Sequence, residues 1–212
     1  MDDGGDVALG LAFPDHSIDY IHHRNVYTIP MDDWPAYIID CARVLRASGW
    51  LEIMETDYML RRTGPEGARF NKLLRRTIAR EGIKPRALTH IASWMASEAE
   101  LDNVKTQAYE IALVPPSSGA SASIPAVSAS TPNLQEEMAS SPLVPASGGP
   151  RWSSFYGHMM AYYPAVAAAC EIELSEWAAL LEAVAVEART FGTFMLYMVV
   201  VGQKPGCPPT PM

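Results

Sequence analysis

Residues 11–57, LAFPDHSIDYIHHRNVYTIPMDDWPAYIIDCARVLRASGWLEIMETD, decide how the rest of the chain is read. Ile18 to His22 (IDYIH) is short and rich in Ile and Tyr, and the Pro14-Asp15 pair before it is a turn signal, so the run reads as a buried strand. The helix after it is punctuated at both ends. Asp33 is placed to accept free amides as N-cap, Pro35 falls in the first turn where its missing N–H costs nothing, and Gly49 offers a left-handed stop. Trp34, Ile38, Ala42 and Leu45 share one face, which gives the helix a side to bury. Trp50 to Glu55 then resumes an extended pattern. Strand, crossover helix and strand predict a right-handed βαβ unit with parallel strands.

The chain around this stretch has 212 residues, about half of them apolar, enough for one sizeable core. A net charge of −8 argues against a nucleic-acid surface. Arg61-Arg62 and Arg75-Arg76 are too short to reverse it, and the second pair reads as the solvated face of a helix. Cys41, Cys170 and Cys207 are widely spaced, odd in number and outside any CxxC or His-rich zinc pattern, so a reduced, intracellular chain (cytoplasmic or nuclear) and no metal site are expected. The longest apolar run, Phe194 to Val201, is too short to span a bilayer. MDDGGDVALG is acidic where an export signal is basic and then apolar, so neither an export signal nor a membrane partner is expected.

Beyond residue 57 a polar loop with Arg61, Arg62 and Gly64-Pro65 leads into a helix from about Pro65 to Glu81. Phe70, Leu73, Leu74, Thr77 and Ile78 form its stripe and Gly82 its stop. A second helix is expected from Pro85 to about Glu100, and VKTQAYEIALV, residues 104–114, as a strand. From Pro115 to Pro150 the composition turns to Pro, Ser, Ala and Gly, which bury too little apolar surface to offset ordering entropy; a disordered insertion is predicted. Order is expected again at Trp152, in a helix interrupted near Pro164. Ser175 is the expected N-cap of a helix Glu176 to Arg189, whose Trp177, Leu180, Leu181, Val184 and Ala188 recur at helical spacing. TFMLYMVVV, residues 193–201, suits a strand covered on both faces.

FPDHSIDYIHHRNV followed by DWPAYIIDCARVLRASGWLEIMETD resembles the middle of class I S-adenosylmethionine-dependent methyltransferases. The nearest branch is the fungal one that includes regulators of secondary metabolism. Its matching segments are a Phe-Pro-Asp-Asn-Ser-Phe-Asp run, an Asp-Trp-Pro helix start and a Leu-Lys-Pro-Gly-Gly-Trp helix exit; here His16 replaces the Asn and Ala47-Ser48 the Pro-Gly. The resemblance implies an α/β fold, three-layer α/β/α, comprising strands 4, 5, 7 and 6 of a Rossmann-like sheet ordered 3-2-1-4-5-7-6. It implies one partial domain from 1–114 and 151–205, with 115–150 as the insertion and 206–212 as a Pro-rich tail.

The cofactor implied is S-adenosylmethionine. In the family, Gly-Asp and a small residue at the end of the third strand approach the adenine; Gly5, Asp6 and Val7 stand there, the bland reading being a frayed terminus. Arg24 is expected beside the cofactor. The Gly-rich turn that follows the family's first strand has no counterpart, since Gly4, Gly5 and Gly10 follow no strand. Weak or no cofactor binding by this chain alone is therefore expected, and its first strand is left as an open edge available to a second copy or another partner.

Methyl transfer requires alignment of acceptor and methyl group and, for an OH or NH acceptor, a place for the proton. His23 or His22, after the fourth strand, is the expected base; in the bland reading one packs under the helix and the other is solvated. Adjacent strand residues point to opposite faces, which disfavours a metal between them. By the same parity Glu52 and Glu55 cannot face one site, while Asp57 is expected beyond the strand's end. Tyr27, Trp152, Phe155 and Tyr156 are the expected acceptor contacts, with Met159 beside them, although aromatic and Met stripes at helical spacing are more often core. The acceptor, small molecule or protein, is not specified by these residues.

Overall fold

The computed structural model describes residues 10–25, 29–83, 88–114 and 149–206. Among these residues the sheet has four strands: β1 (Ile18–Arg24), β2 (Leu45–Arg61), β3 (Asp102–Ala112) and β4 (Phe194–Gln203). The helices are α1 (Trp34–Val44), α2 (Pro65–Arg80), α3 (Ile91–Ser97), α4 (Gly149–Ala161), α5 (Tyr163–Cys170) and α6 (Leu174–Phe191). The fold is α/β, a mixed sheet in the order β1-β2-β4-β3 with flanking helices.

β1 and β2 are parallel, as the crossover helix between them requires. β4 runs against both of its neighbours. Its carboxyl end meets the start of β2, where Lys204 N–H donates to Gly49 O at 2.8 Å, and the start of β3, where Asn103 Nδ2 donates to Gln203 Oε1 at 2.9 Å. Among the described residues β1 is an edge strand.

The contacts divide the chain into two compact units. The first is Met1–Tyr58, Ile78–Tyr109 and Leu196–Met212, and the second is Met59–Thr77 and Glu110–Met195. In the first, the apolar face of α1 (Trp34, Ile38, Cys41, Ala42) packs with Leu51 and Ile53 of β2, Ile91 and Met95 of α3 and Val200 of β4. In the second, Phe70 of α2 lies 5.6 Å from both Phe155 and Trp177, and the Trp177 indole N–H donates to Met159 O at 3.0 Å. Glu187 of α6 accepts the amides of Glu66 and Gly67 at 3.0 and 2.9 Å, satisfying two otherwise free donors at the start of α2.

Several local expectations are corrected. The first helix stops at Val44, not at Gly49: Leu45 is already extended, and Lys204 Nζ donates to the carbonyls of Ala42 and Leu45 at 2.6 and 2.8 Å. Ser48, at φ 65°, takes the left-handed conformation instead. Gly49 is small for room, because a Cβ there would sit 2.9 Å from Arg46 O and 3.0 Å from Asp19 O.

Asp33 does occupy the N-cap position of α1. It ends a short 3-10 turn, Met31–Asp33, with helical backbone angles, and its side chain makes no capping bond; Pro35 does fall in the first turn. Ser175 is inside the first turn of α6, and the extended residue before that helix is Glu173. β2 begins earlier and ends later than Trp50 to Glu55, so Asp57 lies within it, not beyond it. α3 is shorter than Pro85 to Glu100, with residues 84–87 outside the described set, and helix returns at Gly149, before Trp152. Gly82, at φ 71°, follows α2 as a stop. Of the predicted insertion 115–150, residues 115–148 lie outside the described residues and 149–150 belong to α4, and of the tail 206–212 all but Gly206 lies outside them.

Candidate functional site

The chemistry-bearing side chains of the first unit gather at the carboxyl end of β1. Strand alternation sends successive residues to opposite faces, and His22 and His23 obey it. His22 pairs across the strands with Glu52, and Tyr20, two residues before it, with Trp50. These four residues occupy one face. His23 and Glu55 occupy the other, under α1.

The outer cluster is open. Glu52 Oε1 lies 3.2 Å from His22 Nδ1, and Glu52 Oε2 accepts the Tyr20 hydroxyl at 2.9 Å. The His22 side chain is 42% exposed. The Tyr20 ring stacks beside it, centroids 6.5 Å apart. Partial burial, with the hydrogen bond to Glu52 and its charge adding to it, pushes the Tyr20 phenol up to about 12.

The inner cluster is closed. His23 Nε2 lies 2.8 Å from Glu55 Oε1 and His23 Nδ1 2.8 Å from the Tyr37 hydroxyl. The His23 and Glu55 side chains are 1% and 2% exposed. A carboxylate only accepts, so Nε2–H donates to Glu55; in the neutral ring Nδ1 then accepts from Tyr37 O–H. Trp34 and Tyr37 pack their rings on His23 at 5.4 and 5.2 Å. Tyr37 also reaches Cys41, four residues on along α1. Burial raises the Tyr37 phenol, with the Cys41 thiol adding to it, and pushes Cys41 up to about 12.

Arg24 is exposed at the last position of β1. Burial raises the Tyr197 phenol; the Arg24 charge opposes this and Glu55 adds to it. Asn25 follows at φ 55° and donates its amide to Met54 O at 3.1 Å. Its side-chain Oδ1 is buried and, among the described residues, has no hydrogen-bond partner.

The expected residues thus fall in three groups. His22, His23 and Arg24 stand together at the end of β1. Asp6, Val7 and Tyr27 lie outside the described residues. In the second unit, Trp152 and Phe155 are buried in the aromatic core with ring centroids 5.4 Å apart, and Tyr156 is half-buried, 6.0 Å from Trp152. Tyr20, Tyr37, Glu52 and Glu55 as partners of the two histidines escaped the sequence reading. Parity separates Glu52 from Glu55, but only the register of β1 on β2 says which acid meets which histidine. Among the described residues no group of three or more His, Cys, Asp or Glu side chains is arranged to hold a metal ion, and no helix is long and apolar enough to cross a membrane.

No protein-family profile and no curated protein matches the sequence. Solved structures do. A candidate sarcosine dimethylglycine methyltransferase from Galdieria sulphuraria is 14% identical, with 96% of this chain and 58% of that one covered and a TM-score of 0.42. For phosphoethanolamine N-methyltransferase 2 of Haemonchus contortus the values are 10%, 94%, 36% and 0.43. For the cyclase SpnF they are 14%, 94%, 55% and 0.41. The chain is similar to part of each and spans 58%, 36% and 55% of their lengths.

Proposed function

We propose that this chain is part of a class I S-adenosylmethionine-dependent methyltransferase of the fungal branch named above, transferring a methyl group inside the cell to an acceptor that its residues do not specify. The observation that carries the reading is the sheet. Its order β1-β2-β4-β3, with β1 and β2 parallel and β4 reversed, is the order 4-5-7-6 that the sequence resemblance implies. Solved proteins similar to it include one in complex with S-adenosylmethionine, which agrees with the cofactor implied. His22, Arg24 and Asn25 stand at the carboxyl end of β1, where ligands of open α/β sheets bind. The residues expected to meet the adenine are Asp6 and Val7, and Tyr27 is the one expected to meet the acceptor, all three outside the described residues; Trp152 and Phe155, buried in the second unit's aromatic core, are not assigned an acceptor role.

The sequence holds no Gly-rich turn after a strand, so the chain alone binds the cofactor weakly or not at all. Calorimetry with S-adenosylmethionine tests this: micromolar binding overturns it. The genomic sequence upstream of Met1 tests the family. A strand followed by Gly-x-Gly there supports methyl transfer, and its absence favours the second reading.

That second reading is a non-catalytic interaction module that binds a partner through the edge of β1. It is favoured by Tyr20 and Trp50, 53% and 37% exposed on β1 and β2. A stable dimer in analytical ultracentrifugation, together with no cofactor binding, supports it over the first.

A further inference from the structure

We propose that His22 is presented as a base through Nε2, that Glu52 is its positioning residue, and that Tyr20 holds Glu52 in turn. The purpose of such a base, taking a proton from an OH or NH acceptor, rests on the methyl-transfer reading; the side-chain arrangement does not.

Glu52 Oε1, which can only accept, lies 3.2 Å from His22 Nδ1 as an ion-pair contact, and its charge favours the neutral tautomer with the hydrogen on Nδ1 and the lone pair on Nε2. The second Glu52 oxygen is occupied by the Tyr20 hydroxyl at 2.9 Å, so the carboxylate is held at both ends. Base, orienting acid and a third group holding the acid is the arrangement by which side chains are activated. Direct cross-strand pairing of His22 with Glu52 sets the ring by the sheet, which is stiffer than a loop.

His23 cannot serve in this way. Both its nitrogens are engaged, and its side chain is 1% exposed. A proton taken from such an acceptor would go to His22 Nε2, with the imidazolium charge met by Glu52; the methyl group would be supplied by bound S-adenosylmethionine.

The test needs neither cofactor nor acceptor. Long-range proton–nitrogen NMR of the chain at about pH 8, where imidazoles are largely neutral, reads the tautomer of each histidine. The expected result is the Nδ1–H form at His22, lost or mixed in Glu52→Ala and retained in Tyr20→Phe with a smaller share. Carbethoxylation followed by peptide mass spectrometry is expected to slow several-fold at His22 in Glu52→Ala. Both substitutions are on an exposed face, so the variants keep the fold. An Nε2–H tautomer at His22 in the unsubstituted chain, or a tautomer and rate indifferent to Glu52→Ala, overturns the proposal. Failure of the methyl-transfer reading is seen separately, in the upstream sequence.

Discussion

His22 and His23 are neighbours in the chain, and each is bound to a glutamate of β2 in a group that includes a tyrosine hydroxyl. Their surroundings are opposite. The outer group, His22 with Glu52 and Tyr20, leaves the His22 side chain 42% exposed; the inner group, His23 with Glu55 and Tyr37, spends every polar atom of the imidazole on the protein. A one-residue step along a strand separates an open cluster from a closed one. The difference follows from burial: a hydrogen bond in the core is costly to break because the freed group finds no water, whereas at the surface water replaces the partner.

The comparison is broken most readily at Glu55. Glu55→Ala leaves a buried imidazole N–H without its acceptor and is expected to cost about 1–3 kcal/mol, read as a lower urea midpoint. Restoring a matched apolar pair with His23→Leu and Glu55→Met together is expected to recover most of that loss; if it recovers none, the inner group does more than fill the core.

Alkaline pH gives the next effect. Folding keeps the Cys41 thiol neutral, raised from 9.0 to about 12, and the Tyr20 phenol neutral, raised from 10.0 to about 12. A raised value in the folded state means stability fully present below the unfolded value and lost as pH climbs through the folded one. Stability is therefore expected to fall between pH 9 and 12. Cys41→Ala should delay its onset toward pH 10, checked by thermal unfolding across that range.

Tyr37→Phe removes one hydrogen bond of the inner group and is expected to cost about 1 kcal/mol, with the His23–Glu55 bond intact by NMR. Smallest is Glu52→Ala, expected below about 1 kcal/mol and reduced further by salt. A loss at Glu52 as large as that at Glu55 would erase the distinction between the faces.

Much of the first unit was legible in advance. Apolar spacing in Trp34 to Ala42 found the buried face of α1, and the alternation around His22 and His23 foretold opposite faces. The helix ends were legible only in part: α2 starts at Pro65 and Gly82 follows it as expected. Asp33 stands at the N-cap of α1 but makes no side-chain capping bond, Gly49 serves for room beside Asp19 and Arg46, and Ser175 falls inside a helix that starts at Leu174, two residues earlier than expected. Propensity at a helix end is worth about 1 kcal/mol, and packing overrides it.

By itself the sequence determined the α/β class, the βαβ unit and the alternation of faces, because periodicity and residue type act locally. The register of β1 on β2, and with it the assignment of Glu52 to His22 and Glu55 to His23, belonged to the tertiary structure alone. The two acids are three residues apart on one strand, and nothing short of the pairing of two strands brings either to its histidine.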